Sequence, residues 1–372
     1  MKITIFGLTL SSSWGNGHAT PYRAILRALK RQRHEVTFYE KDVDYYRRHR
    51  DLVSADFCKL VLYPDWEQIR AAAIREAAES DAVIVGSYCS DGQRISDEVL
   101  ALERPVRVFY DLDTPVTLGK LANGGAEYIC RDQMPEFDLY LSFTGGQILQ
   151  RLERDYGVQR AVAIYGCVDP DVHRRSEPRR DFECDLNYMG TYAADRQHKV
   201  DTLFVEPARR ALNRSFILAG SLYPWDWKWP DNVRRFEHVS PAEHPAMYSS
   251  CRVTLNITRD EMARSGYCPS GRFFEAAACG TPVLTDWFDG LDTFFDPGDQ
   301  ILIVNNSDDV IAALRMDAHD LSRLAARACE RTLAEHTGEN RARELVRAIQ
   351  EARRSTRASV APLAAPRERI SA

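Results

Sequence analysis

The chain has 372 residues, 44% of them hydrophobic and 28% charged, which is too long for one compact core and suits two domains of ordinary size. A net charge of −5 implies no broad basic surface for nucleic acid, and no run approaches the ~18 apolar residues that a membrane span needs. Nine scattered cysteines without Cys-x-x-Cys spacing speak for the reduced thiols of a cytoplasm, against disulfides or a zinc cluster.

In chain order, Ile3-Thr-Ile-Phe-Gly7 reads as a buried strand rather than a secretory leader, and Tyr22 to Arg33 as the helix that returns across it. Between them, Ser11-Ser-Ser-Trp-Gly15-Asn-Gly17-His18 is a small glycine-containing loop that lets backbone amides approach an anion at a strand's carboxyl end. It lacks the third glycine of the dinucleotide fingerprint, which makes a nicotinamide enzyme the weaker reading. Strands at Glu35–Tyr39, Ala82–Gly86, Val106–Tyr110, Phe137–Phe143 and Ala161–Tyr165, with a helix at Trp66–Ser80, imply right-handed crossovers and a parallel sheet. The stretch from Tyr39 to Asp56 is too charged and tyrosine-rich for core and reads as an excursion over a cleft.

Two strand ends carry candidate chemistry. In Asp111-Leu-Asp113 either carboxylate could hydrogen-bond a substrate hydroxyl or act as a base; the alternative is a pair of turn carboxylates capping the next helix. In Ser142-Phe-Thr-Gly145-Gly146-Gln147 the glycines either open amides toward a cleft or allow close helix-to-sheet packing. A polar, proline-containing stretch at 174–181 then marks a boundary, and a second α/β half starts at Asp185. Near its first helix start, Arg196 and Lys199 lie three apart, a spacing that could set two cations over one diphosphate. The Trp225–Trp229 stretch is either a stacking platform or the lid of a local apolar cluster.

The stretch Pro269-Ser-Gly271-Arg272-Phe-Phe-Glu275-Ala-Ala-Ala-Cys-Gly-Thr-Pro-Val-Leu is a loop, helix, strand unit. Arg272 and Glu275 share its first turn, where an Arg can neutralise a phosphate and a carboxylate can accept from a ribose diol; the bland alternative is an Arg–Glu pair capping a surface helix. Strand Asp299–Val304 and helices Ala318–Leu333 and Glu339–Arg353 complete the order, leaving 354–372 as an aperiodic tail expected to be disordered.

The run from Glu275 through Ala-Ala-Ala-Cys-Gly-Thr-Pro resembles the donor-site segment of GT-B glycosyltransferases of the group 1, family 4 type, and Pro269-Ser-Gly-Arg-Phe-Phe-Glu275 is closer to the spore-maturation protein CgeB branch. The resemblance extends through Phe216–Gly220, Ser240–Glu243, Met247-Tyr248 and Phe294–Gly298. It implies two Rossmann-like doubly wound α/β domains facing a cleft: an acceptor-side domain at 1–170, a linker at 171–184, a nucleotide-sugar domain at 185–337 and a helix at 338–353 crossing back. It further implies metal-independent sugar transfer with no bound cofactor. Donor contacts fall on Arg196, Lys199, Gly271, Arg272 and Glu275, and cleft contacts on the loops with Gly15, Gly17, Asp111, Gly145 and Gly146. His18 and Asp113 become candidate bases, His18 also being placed to cap the following helix instead. One position departs from the family: a second Glu common eight residues before the one matching Glu275 is Tyr267 here. Two other readings remain open at this point, a GT-B-shaped binding module without turnover and a GT-B epimerase that needs no acceptor.

Overall fold

Two parallel sheets organise the chain, and the computed structural model describes residues 1–360. The first sheet contains β1 (Lys2–Gly7), β2 (Glu35–Lys41), β3 (Lys59–Tyr63), β4 (Ala82–Gly86), β5 (Val106–Asp111), β6 (Leu139–Ser142) and β7 (Ala161–Ala163), in the order β3-β2-β1-β4-β5-β6-β7. The second contains β8 (Cys184–Met189), β9 (Phe216–Ala219), β10 (Val233–Phe236), β11 (Cys251–Asn256), β12 (Val283–Thr285) and β13 (Leu302–Ile303), in the order β10-β9-β8-β11-β12-β13. Every neighbouring pair runs parallel, so helical crossovers cover both faces and the central strands read as continuous apolar runs. Two strands escape the sequence reading, β3 and β10, and both are short, mostly unburied strands at sheet edges.

Each sheet carries an apolar core on either face. Ile3, Ile5, Ile84 and Val108 point to one side of the first sheet with the helix Ala19–Arg31, and Phe6, Val83, Val85 and Phe109 to the other. In the second, Leu186, Leu218 and Leu255 pack beneath Phe204, while Phe273, Phe274 and Phe295 gather on the opposite side. The final helix, Gly338–Val360, lays Ala342, Leu345 and Ile349 into the first domain's core, where the backbone carbonyl of Ala24 leaves no room for a side chain on Gly338. This helix is longer than the sequence suggested, so residues 354–360 of the expected tail are helical; residues 361–372 lie outside the described residues. Among the described residues no helix is long and apolar enough to cross a membrane.

The strand orders fix where a ligand can sit. Direction reverses between β1 and β4 in one sheet and between β8 and β11 in the other, and at such switch points the loops leaving the carboxyl ends part to open a crevice. The loops after β1, β4, β5, β8 and β11 all reach one shared cavity.

Candidate active site

That cavity, about 620 Å³, lies between the two sheets and is walled by both. On the first domain's side Gly15, Gly17, His18, Tyr88 and Asp113 line it; on the second domain's side Arg196, Gly271, Arg272 and Glu275 do. His18 occupies the first position of its helix without capping it, and Asp113 likewise leaves the helix Thr114–Ala122 uncapped, so neither side chain is spent on its own backbone. Instead His18 Nε2 faces Asp113 Oδ2 at 3.6 Å, too far for a hydrogen bond between them and close enough for one hydroxyl to meet both. His18 Nδ1 is buried without a partner.

The β1 loop is built differently from the expectation of amides left open for an anion. The N–H groups of Leu10 and Ser11 donate to the buried Glu40 at 2.7 and 2.8 Å, and Ser13 N–H donates to Asp51 at 2.9 Å, which Arg23 in turn holds. Glu40, near the end of β2, and Asp51 after it thus take only the amides ahead of the glycines, those of Leu10, Ser11 and Ser13. Gly15 still has its use: at φ +66° it turns the chain under the Tyr45 hydroxyl, 2.6 Å from where a Cβ would sit.

Three other expectations need correcting. Asp111 is fully buried and faces away from the cavity, accepting from Tyr140 Oη at 2.7 Å, Thr117 Oγ1 at 2.8 Å and Asp113 N at 3.1 Å. Lys199 does not reach the cavity: its ammonium is held by Asp286 at 3.0 Å, Asp260 at 3.1 Å and the Thr258 carbonyl at 2.9 Å, so it braces the loop after β11. Gly145 and Gly146 serve close packing rather than anion binding. Gly145 N–H donates to the Tyr267 carbonyl at 3.0 Å, a Cβ there would lie 1.9 Å from Tyr165 Oη, and Gly146 at φ +63° lets the Tyr267 ring approach.

Burial pushes the Asp111 carboxyl up to about 6 against the pull of its Tyr140 and Thr117 hydrogen bonds. Between about pH 4 and 6 the folded chain therefore keeps a proton that the unfolded chain gives up. The stability this contributes is complete below about pH 4 and lost as pH rises through 6. Asp111→Asn, neutral throughout, is expected to gain on the wild type by up to ~3 kcal/mol between pH 4.5 and 7.5, read from paired unfolding curves; a constant difference would refute it.

The second domain's wall is cationic. Arg196 is buried, donates to the Thr191 carbonyl, lies over the Tyr188 ring and keeps Nε unpartnered; burial and the neighbouring Arg272 pull its pKa down. Arg272 donates to the Met189 carbonyl and, through Nε, to Ser270 Oγ at 3.1 Å. Its guanidinium crosses Gly190 so closely that a Cβ there would lie 2.6 Å from Nη1. Among the described residues neither arginine forms a salt bridge, whereas Arg259 beside them is paired with Asp195 at 3.2 Å. Two cations without a salt-bridge partner among the described residues, Arg196 and, in the first turn of the helix Gly271–Ala278, Arg272, thus stand on this wall of the cavity.

Glu275 completes that wall. It is 5% exposed and faces His244 Nδ1 at 3.2 Å, while His244 Nε2 faces the Val239 carbonyl at 3.2 Å. Burial would raise its pKa, but the hydrogen bond from His244 and the nearby charges of His173, His244 and Arg272 hold it at about 2. It is thus an ionised acceptor within reach of the arginines. Sequence reasoning assigned no role to His244, His238 or Tyr88. His244 follows the Ser240–Glu243 run that carried part of the resemblance, which was the one signal available.

Two of the contacts that join the halves away from the cavity's centre involve Trp14 and Tyr267. Trp14 stacks between His49 (4.2 Å, 17°) of its own domain and His238 (4.1 Å, 38°) of the other. Tyr267, at φ +46°, inserts its ring between Gly146 and Gly290, turned away from the cavity that the family's second Glu would face. In the Trp225–Trp229 stretch, Trp227 and Trp229 pack with Tyr192 and Tyr223 as a local lid, and Trp225 is exposed.

Solved structures share this arrangement over nearly the whole chain. Sucrose-phosphate synthase from Thermosynechococcus elongatus superposes with a TM-score of 0.66 at 14% identity, covering 96% of this chain and 99% of that one. Anabaena HepE in complex with UDP and glucose gives 0.66 at 11%, covering 94% and 100%. An α-glucosyltransferase in complex with UDP gives 0.71 at 12%, again covering 94% and 100%. The chain has the GT-B fold. Residues 196–347, the part that carries Arg196, Arg272 and Glu275, match the family described as glycosyl transferase-like. No curated protein matches the sequence. Further α-glucosyltransferase structures among the GT-B neighbours hold DNA as well as UDP.

Proposed function

We propose that this GT-B protein transfers a hexose from a nucleoside-diphosphate sugar to a hydroxyl acceptor in the cytoplasm. The observation that carries this reading is the pair of unpaired guanidiniums, Arg196 and Arg272, facing the His18–Asp113 pair across one cavity. The diphosphate lies against the two arginines and the amides opening the helix at Gly271, and Glu275 accepts from the ribose diol. The acceptor hydroxyl enters between His18 Nε2 and Asp113 Oδ2. Its oxygen forms the bond to the anomeric carbon, its proton passes to that pair, and the bond from the anomeric carbon to the diphosphate oxygen breaks with its electrons leaving on the nucleotide. Because the arginines meet the leaving charge, the reaction proceeds without a metal. UDP is the first nucleotide to try, since structural neighbours hold it. The Pro269–Glu275 run further supports a place near the spore-maturation protein CgeB branch.

Release of free nucleoside diphosphate from UDP-, GDP-, TDP- and ADP-hexoses, measured with and without acceptor and with a chelator present, tests this. Acceptor-dependent release that survives chelation is expected. Absence of both release and thermal stabilisation by every nucleotide would sink the proposal. In the same assay Glu275→Gln, which loses a charged hydrogen bond worth ~1.5–3 kcal/mol, is expected to weaken donor affinity roughly 10- to 100-fold with the fold retained. Unchanged donor affinity would remove the ribose assignment.

A further inference from the structure

The cavity is partitioned by charge, and this bears on a substrate that the transferase reading leaves unspecified. The second domain's wall holds Arg196, Arg259 and Arg272; among the described residues lining the cavity from the first domain there is no lysine or arginine. The only ionisable groups on that wall besides its tyrosines are His18, Asp113 and a cysteine. Cations adjoining the wall are already neutralised: Arg23 by Asp51 at 2.8 Å, Arg50 by Asp42 at 2.5 Å and Lys120 by Glu127 at 2.8 Å. The buried Glu40 also takes two of the β1 loop's amides, those of Leu10 and Ser11. A phosphate bound there would be desolvated without a counter-charge and beside a carboxylate, which is costly.

What the wall offers instead is aromatic surface beside a polar corner. Tyr46 and Tyr88 both line it. Tyr88 is held at φ +59°, a conformation a bulky side chain adopts only when its surroundings enforce it. Those surroundings are Tyr128, with ring centroids 4.7 Å apart, the edge of the His18 ring at 5.3 Å, and the Lys120 ammonium 5.2 Å from the Tyr88 centroid. The strain is thus maintained at an aromatic ring that adjoins the His18–Asp113 pair.

Resting on the transferase reading, we infer that the acceptor is an uncharged, polyhydroxylated ring, a sugar or glycoside, that packs on the cavity side of Tyr88 with one hydroxyl between His18 and Asp113. Apolar ring faces suit the tyrosines, and hydroxyl groups suit a carboxylate and an imidazole, whereas phosphorylated sugars and nucleic acids meet no lysine or arginine among the described residues lining this side, Lys120 beside Tyr88 being paired with Glu127.

The test uses the full chain with saturating donor and three acceptor classes: neutral alkyl glycosides and disaccharides, sugar monophosphates, and a 13-mer duplex DNA. Neutral acceptors are expected to give at least tenfold higher kcat/KM than their phosphorylated counterparts. Tyr88→Ala is expected to raise acceptor KM roughly 10- to 100-fold while donor affinity, read by thermal shift, stays at the wild-type value, and Tyr88→Phe is expected to keep most of the acceptor affinity. The donor titration also shows that each variant is folded. Turnover that prefers sugar phosphates or DNA overturns this inference and leaves the transferase reading standing, and so does an unchanged acceptor KM in Tyr88→Ala. No nucleotide release with any acceptor, together with no donor binding, overturns both.

Discussion

Arg272→Ala is expected to lower kcat/KM for the donor roughly 10²- to 10³-fold, ~3–4 kcal/mol of lost transition-state stabilisation, with little change in unfolding temperature. The size follows from what the guanidinium lacks. The Met189 carbonyl and Ser270 Oγ hold it, among the described residues no carboxylate lies within salt-bridge distance of it, and Glu275 feels its charge only from further off, so in the proposed transfer its field acts on the leaving diphosphate in the cavity. Arg272→Lys is expected to recover only part of the loss, because an ammonium cannot keep both anchoring contacts and present a fork to phosphate. Arg196→Ala alone is expected to cost a similar amount. The double variant should fall short of the product of the two, since both cations act on one ligand. Activity within threefold of wild type for Arg272→Ala, with donor affinity intact, would dismiss the anion site.

The second large effect concerns the opposite wall. His18→Gln is expected to reduce kcat roughly 10²- to 10⁴-fold while donor affinity is unaltered, as befits a group that handles a proton and does not touch the nucleotide. Asp113→Asn is expected to do much the same, and combining the two should add little, because one hydroxyl is met by both side chains 3.6 Å apart. A full-rate Asp113→Asn paired with a dead His18→Gln would assign the proton to histidine alone. Equal, wild-type rates in both would move the chemistry elsewhere in the cavity.

How much of this could be seen in the residues alone depended on range. The doubly wound class was legible because β1, β4 and β5 are mostly apolar runs followed by helical periods, a local signal. Arg272 and Glu275 could be paired from sequence because one helical turn brings them together. By contrast, the same spacing argument coupled Lys199 to Arg196, and there it misled. Spacing places two side chains on one face but does not reveal that Asp260 and Asp286, far along the chain, claim the ammonium. Asp111 and Asp113 are indistinguishable as letters; Asp111 is the last residue of β5 and turns into the core toward Tyr140, whereas Asp113 stands past the strand's end, just before the next helix, and faces His18. The histidine that holds Glu275 comes from a different crossover, so no window of sequence contained the pair.

Two of the places where the halves touch are unlike in strength. At one flank Trp14 meets His238 through ring faces alone, a contact worth ~0.5–1.5 kcal/mol. At the other, a backbone hydrogen bond joins Gly145 to Tyr267, and the tyrosine ring is lodged between two glycines with no space to slide. Separation at the first flank is cheap, while at the second it demands withdrawal of a wedged side chain. The Trp14 flank is thus the more lightly closed of the two, and the Tyr267 flank, where Thr144 Oγ1 also donates to Cys268 Sγ at 3.1 Å, the more firmly held.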